Sequence, residues 1–292
     1  MRGEKGDGEE MEFEDRESRT EVGKKISRLT SYGDQRILDA ATLQSIAGAA
    51  SEMKIVDDIL ALLPQESREC KVKEVRTCSC WTAVVSKKCG LASTFLDRYV
   101  PRREVKGVGQ LTRMTALELA QYAKSDILQE ASIGMAAINS LIEFDESKCR
   151  EENAFAILAE KGEGKRIAVI GYYPWVPRLR KIAKELWVID TKPQVRDLPP
   201  QAAPEILPEA DVVAISGTAF INHTVEALLN LCQDKFVIMV GPTSPMSAVL
   251  FDYGVDVIAG VKVVDTEKVL LTISEGAKLP QVRGIKFLTM RK

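Results

Sequence analysis

The sequence predicts an α+β unit followed by a doubly wound α/β unit with a parallel sheet. Three observations carry that expectation. The chain has 292 residues, about twice an ordinary domain length, so two units fit. Its first half reads as strands and then helices. Its second half holds five short apolar runs, at 166–171, 186–190, 211–217, 236–241 and 255–260, separated by helical stretches.

Composition bounds the class. Hydrophobic residues make up 45% and charged residues 28%, which is ordinary globular usage. Forty Lys and Arg against 42 Asp and Glu leave a net charge of -2, so no global basic field recommends nucleic acid or an anionic membrane as a partner. No apolar run approaches the roughly 18 residues of a membrane span, and the first ten residues lack a secretory core. The six cysteines therefore read as reduced thiols of a cytoplasmic protein.

Residues 1–34 are mostly charged, with apolar residues too scattered to mark a face, and read as a disordered tail. A small-residue stretch at 37–50 could form a helix. From Met53 a clear amphipathic pattern begins, with Ile55, Val56, Ile59, Leu60 and Leu63 on one side, and stops at Pro64. Residues 70–87 change to a strand period and predict two strands, followed by a turn at 87–90 and a loop to Gly109. Thr115 can cap a helix through Tyr122, and Asp126 opens a longer one carrying Ile133, Ala137 and Leu141. The charged stretch 145–166, with two glycines at 161–165, reads as a boundary crossed by a short helix near 154–159.

The five later runs are apolar on both strand faces, which predicts helices on both sides of a parallel, Rossmann-like sheet. Four runs end in Gly and one in Asp190. Helices are expected at 178–184, 225–231 and 245–253.

Ligands of such sheets bind outside the carboxyl ends of the strands, which selects the loops that follow each run. The first, from Gly171 with Tyr172, Tyr173 and Trp175, lacks the glycine fingerprint of a dinucleotide turn; its aromatics line a cleft or pack against the other unit. Asp190 lies about 20 residues on, where an acid takes ribose hydroxyls or simply caps a turn. In the third loop, Gly217 and Thr218 precede Asn222, His223 and Thr224; Asn222 or Thr224 can cap the next helix and leave N–H groups for an anion. His223 is the chain's single histidine, a candidate base or metal ligand and equally a capping or surface residue. In the fourth loop, Gly241, Pro242, Thr243 and Ser244 precede Pro245; Ser244 as N-cap, Pro245 in the first turn and Gly254 as left-handed stop predict a helix with amides facing the ligand. Cys70, Cys78, Cys80 and Cys89 fall in one segment, but their spacing matches no zinc ribbon, so a structural or incidental role is expected. Triad, P-loop and two-histidine metal signatures are absent.

Several strings in order resemble one family. They are the sequence EASIGMAAIN at 130–139, GYYP at 171–174, ILPEAD at 206–211, GTAFINHT at 217–224, and GPTSP at 241–245 with LFDYG at 250–254. Together they resemble the heavy-metal chelation family, long catalogued as a domain of unknown function, from about Met53 to the C-terminus. The resemblance implies an enolase N-terminal-like α+β domain, then a Rossmann-like domain, with a site where they meet. It would carry site positions onto Gly90 and Asn139 in the first and onto Asp190, Asn222, Gly241, Pro242 and Ser244 in the second.

The domain expectation is thus an N-terminal extension at 1–52, an α+β domain at 53–150, a linker at 151–164 and a Rossmann-like domain at 165–292. The expected function is chelation of a metal, or binding of a metal complex or small ligand, in the cleft between the domains. Asp190 and His223 are the candidate metal ligands and a divalent ion the candidate cofactor. An enzyme acting on a nucleotide or other phosphorylated molecule is the alternative, with a non-catalytic regulatory module as a third. A small molecule or metal is the expected partner; a homo-oligomer is compatible with all three.

Overall fold

The computed structural model describes residues 53–95 and 103–292. The expected tail at 1–34, the helix at 37–50 and part of the loop after Gly90 lie outside the described residues.

Helix α1 (Lys54–Ala61) buries Ile55, Val56 and Ile59 and ends before Pro64, as its pattern predicts. Where two strands were expected there are three, β1 (Glu74–Thr77), β2 (Trp81–Val85) and β3 (Cys89–Ser93), in an antiparallel meander. The third occupies the start of the expected loop, because Cys89-Gly-Leu-Ala-Ser is too short and small to show a strand period of its own. Helix α2 (Ala116–Ala120) starts with a full capping box, Thr115 and Glu118 exchanging bonds with each other's backbone. Helix α3 (Leu128–Leu141) begins two residues beyond Asp126; Ser125 Oγ, not Asp126, accepts the Ile127 N–H at 3.1 Å.

Helix α3 is buried nearly all round, which its small residues permit. A Cβ on Gly134 would fall 1.8 Å from the backbone N of Ala123, and one on Gly90 of β3 would fall 2.1 Å from the Ala136 carbonyl oxygen. The helix therefore touches backbone on both sides.

Beyond it come β4 (Cys149–Arg150), α4 (Ala154–Gly162), β5 (Arg166–Ile170), α5 (Val176–Leu179), β6 (Glu185–Ile189), α6 (Ala203–Ile206), β7 (Val212–Ser216), α7 (Val225–Asn230), β8 (Phe236–Val240), α8 (Val249–Asp252), β9 (Val257–Val263), α9 (Thr266–Ser274) and β10 (Ile285–Arg291). All five apolar runs are strands. They form a seven-stranded sheet in the order β4-β10-β9-β8-β7-β5-β6, parallel from β9 to β6, with β10 and β4 antiparallel at one edge. The fold is α/β with a separate small antiparallel sheet.

Side chains alternate between two buried faces. Val213 and Ile215 enter one apolar cluster, Val212 and Ala214 the other. The first cluster runs without a break from the large sheet into α1 and α3, and one face of the small sheet joins it through Val84 and Ala92. The opposite face, with Trp81, Ala83 and Leu91, packs on Val269, Leu270 and Ile273 of α9. The two halves thus share their cores. The sequence boundary near 150 falls inside the large sheet, because β4 pairs Thr289 and Met290 of β10. The helix expected at 225–231 is Val225–Asn230, that expected at 178–184 is the short Val176–Leu179, and the predicted helix from Ser244 is Val249–Asp252 only, with Ala248 at its N-cap.

Candidate functional site

Strand β5 pairs β6 on one side and β7 on the other, so the connections leaving β5 and β7 diverge and open a crevice at their carboxyl ends. A cleft lies there. Its polar lining is Asp190, Thr191, Ser216, Thr218, Asn222 and Thr224; its floor is Ile170, Ile189, Pro200, Ala203 and Leu228, and Phe95, just past β3, closes one side. Gly171 also lines it, with a left-handed φ of 93° that favours glycine and a Ser216 Cβ that would stand 3.2 Å from an added carbon, a tight contact.

The polar groups are held by one another. Ser216 caps the turn after β7: its Oγ accepts from the Thr218 N–H at 3.3 Å and from the Thr218 hydroxyl at 2.8 Å. Thr224 Oγ1 donates to Asn222 Oδ1 at 2.8 Å, and Asp190 Oδ1 accepts the Lys192 N–H at 2.7 Å. Each group keeps spare capacity, the second carboxylate oxygen of Asp190 and the amide of Asn222 above all.

Of the residues expected at the site, Gly171, Asp190, Thr218 and Asn222 come together here. Others lie elsewhere. Tyr172 points to solvent at 41% exposed, whereas Tyr173 and Trp175 stack at 4.7 Å, half-buried against one apolar cluster of the large sheet. Tyr173 donates to the Val240 carbonyl at 3.2 Å, and burial pushes its phenol up to about 12, so it stays a donor. Gly217 is packed against Ser244, and a Cβ there would fall 2.4 Å from the Ser244 N.

The loop from Gly241 to Ser244 is bonded to the other half of the chain. Ser244 N–H is taken by the Gly241 carbonyl at 3.0 Å, and Ser244 Oγ is enclosed without a protein partner. Thr243 Oγ1 accepts the Ser93 N–H at 2.9 Å, and Asn139 Nδ2 donates to the carbonyls of Leu91, Pro242 and Thr243. Gly90, Asn139 and Pro242 line a second, separate hollow with Lys88 and Lys262, not the strand-end cleft. Thr224 stands at the N-cap of α7, where its side chain accepts no N–H; its hydroxyl donates to Asn222.

His223 is buried, with its Nε2 3.0 Å from the Ala123 carbonyl oxygen, and does not line the cleft that Asp190 lines. Burial lowers its pKa, so the ring is a neutral tie between two segments. Sequence reasoning missed Ser216 and Thr191 and named Thr224 only as a cap; the signal for Ser216 was a hydroxyl at a strand end directly before Gly-Thr.

Two family models, both described as "Putative heavy-metal chelation", match this chain, one over residues 60–142 and the other, DUF364, over residues 153–288. An uncharacterized protein of Methanocaldococcus jannaschii is 30% identical over 193 residues, which covers 63% of this chain and 74% of that one. The chain belongs to this family. A crystal structure of a protein of unknown function from Desulfitobacterium hafniense DCB-2, in the DUF364 family, superposes with a TM-score of 0.71 at 24% identity, covering 82% of this chain and 98% of that one. Another DUF364 protein of unknown function, from Pyrococcus horikoshii, gives 0.68 at 21% identity, with 82% and 99% covered. These two likenesses establish the shared fold.

The family description implies a metal, and the cleft can be tested for it. Among the described residues, no three of His, Cys, Asp and Glu stand together in a way that could hold an ion. The cleft itself offers one carboxylate, with hydroxyls and an amide. Heavy metals favour thiolate and imidazole, and neither lines it. The donor set does not fit a bare heavy-metal ion. No helix among the described residues is long and apolar enough to cross a membrane.

Proposed function

We propose that this protein binds a small polar organic molecule in the strand-end cleft, and that any metal arrives there as a complex carrying its own donors. The observation that supports this reading is the lining: one carboxylate among hydroxyls and an amide, above an apolar floor. Such a surface recognises a hydroxylated or amino-bearing ligand by hydrogen bonds and shields its carbon skeleton. Asp190 faces the ligand's donor, while Thr218 and Asn222 orient it. Phe95 contributes the wall from the other half of the chain, so the site lies at the junction of the two. The reading as a phosphate-handling enzyme has less support, because the Thr218 and Ser244 N–H groups are already used within the chain.

The test is a thermal-shift screen of amino acids, hydroxy acids and nucleosides, each alone and with Ni(II), beside Ni(II) as the aqua ion. A ligand at a hundredfold excess over its Kd adds about 2.7 kcal/mol. The expected result is stabilisation by an organic ligand or its complex, reduced at least tenfold in affinity by Asp190→Ala. One equivalent of aqua Ni(II) held through Asp190, or an organic ligand indifferent to Asp190→Ala, would refute the reading.

A further inference from the structure

Cys78 and Cys80 flank Ser79 in the turn joining β1 to β2, on the far side of the small sheet from α3. The turn is pinned by its backbone: Cys78 N–H donates to the Trp81 carbonyl at 2.9 Å, and Thr94 N–H donates to the Cys80 carbonyl at 2.9 Å. Trp81 Nε1 in turn donates to the Ala277 carbonyl at 2.9 Å, which anchors the adjoining strand to the chain after α9.

Ser79 is exposed, whereas both cysteines are half-buried and pack against the cluster of Trp81, Val269 and Ile273. Both side chains therefore meet the same apolar cluster. Both are free thiols. Cys70 and Cys149 are half-buried as well, whereas Cys89 and Cys232 are buried, and desolvation pushes each of those two thiols up to about 12. No third metal-ligating side chain joins the pair among the described residues. That excludes a tetrahedral zinc site, which needs four ligands. It suits a closed-shell soft cation, for which two thiolates in near-linear arrangement complete the coordination.

We propose that Cys78 and Cys80 form a two-thiolate binding site for a soft monovalent d10 cation, for which Cu(I) is the probe. As the two sulfur–metal bonds form, each Sγ releases its proton to solvent, and neither sulfur nor metal changes oxidation state. The apolar floor from Trp81 and α9 excludes water from one side of the ion. This site is independent of the strand-end cleft and uses none of its residues.

The test uses the full, reduced chain under anaerobic conditions, drawing Cu(I) from its coloured bicinchoninate complex. One equivalent should transfer to the protein, and Cys78→Ser and Cys80→Ser should each weaken retention at least tenfold. Cys149→Ser, a half-buried thiol outside the turn, should retain it, as should Asp190→Ala. Circular dichroism of each variant checks that the fold survives, and X-ray absorption should show two sulfur neighbours on copper. Failure of the native chain to take an equivalent, retention by the Cys78/Cys80 double variant, or three or more sulfur neighbours would overturn the proposal.

Discussion

The carboxylate of Glu226 on α7 accepts the backbone N–H of Ile55 at 3.0 Å, and so caps the first turn of α1 from 171 residues further along the chain. Met53, at the N-cap of α1, makes no side-chain bond there, which leaves the first turn to this partner from the large sheet's layer. The other oxygen, Glu226 Oε2, is enclosed without a partner. Nearby, Tyr253 donates to Asp58 of α1, a second tie across the same joint.

Glu226→Ala should lower stability by about 1–2 kcal/mol in urea unfolding, since it orphans a helix N–H, while Glu226→Gln keeps the acceptor. Burial holds the Glu226 carboxyl above its ordinary range. A folded pKa raised in this way favours folding below about pH 4.5, and that contribution fades as pH rises through the folded value. The stability of Glu226→Gln relative to the native chain should therefore increase with pH above that point. A difference that stays flat would show that the carboxyl titrates normally.

His223 should produce the opposite slope. Its folded pKa lies below the ordinary value, chiefly through burial, so the unfolded chain takes up a proton that the folded one refuses. Stability should fall as pH drops below about 6.5. His223→Asn removes the titration, and asparagine tolerates the left-handed backbone at φ of 57°. Urea midpoints of the two proteins across that range measure the effect; parallel curves would count against it.

Asn139 ties α3 to both β3 and the loop after β8 through one amide nitrogen, 3.0 Å from the Leu91 oxygen and 3.2 Å from that of Pro242. Asn139→Ala should cost about 1–3 kcal/mol, and Asn139→Asp more, because a carboxylate would face carbonyl oxygens. Loosening should show locally as faster hydrogen exchange at the Ser93 N–H, which depends on Thr243 in the same loop. Unchanged exchange there would mean that Asn139 does not hold the junction.

Gly90→Ala and Gly134→Ala should each remove about 3 kcal/mol or more, since the added carbon meets backbone that cannot rotate away. Gly109→Ala is the comparison: it has open space and only a left-handed φ of 80°, a strain of about 1–2 kcal/mol. Thermal melting of the three variants ranks them directly.

Much of the large sheet was legible because burial on both faces demands uninterrupted apolar residues, and 166–170 or 212–216 can be little else. Strand β10 was missed: Ile285, Lys286, Phe287 and Thr289 mix polar with apolar residues, as an antiparallel strand near a sheet edge allows. Helix α9 was missed as well, although Asp265 caps it by accepting the Lys268 N–H at 3.1 Å.

By itself the sequence determined the local facts: which runs are buried strands, where Thr115 and Gly254 start and stop helices, and that strand-end loops carry the polar groups. Tertiary structure decided what those groups face. It turned Thr243 and Asn139 toward each other across the junction, enclosed His223, and left Asp190, Ser216, Thr218 and Asn222 around an open cleft. The reason is physical. Local pattern reports the period and capping of a segment, whereas a side chain's partner is set by which distant segment packs against it, and here one apolar cluster joins segments more than 200 residues apart, from Ile55 to Ile258.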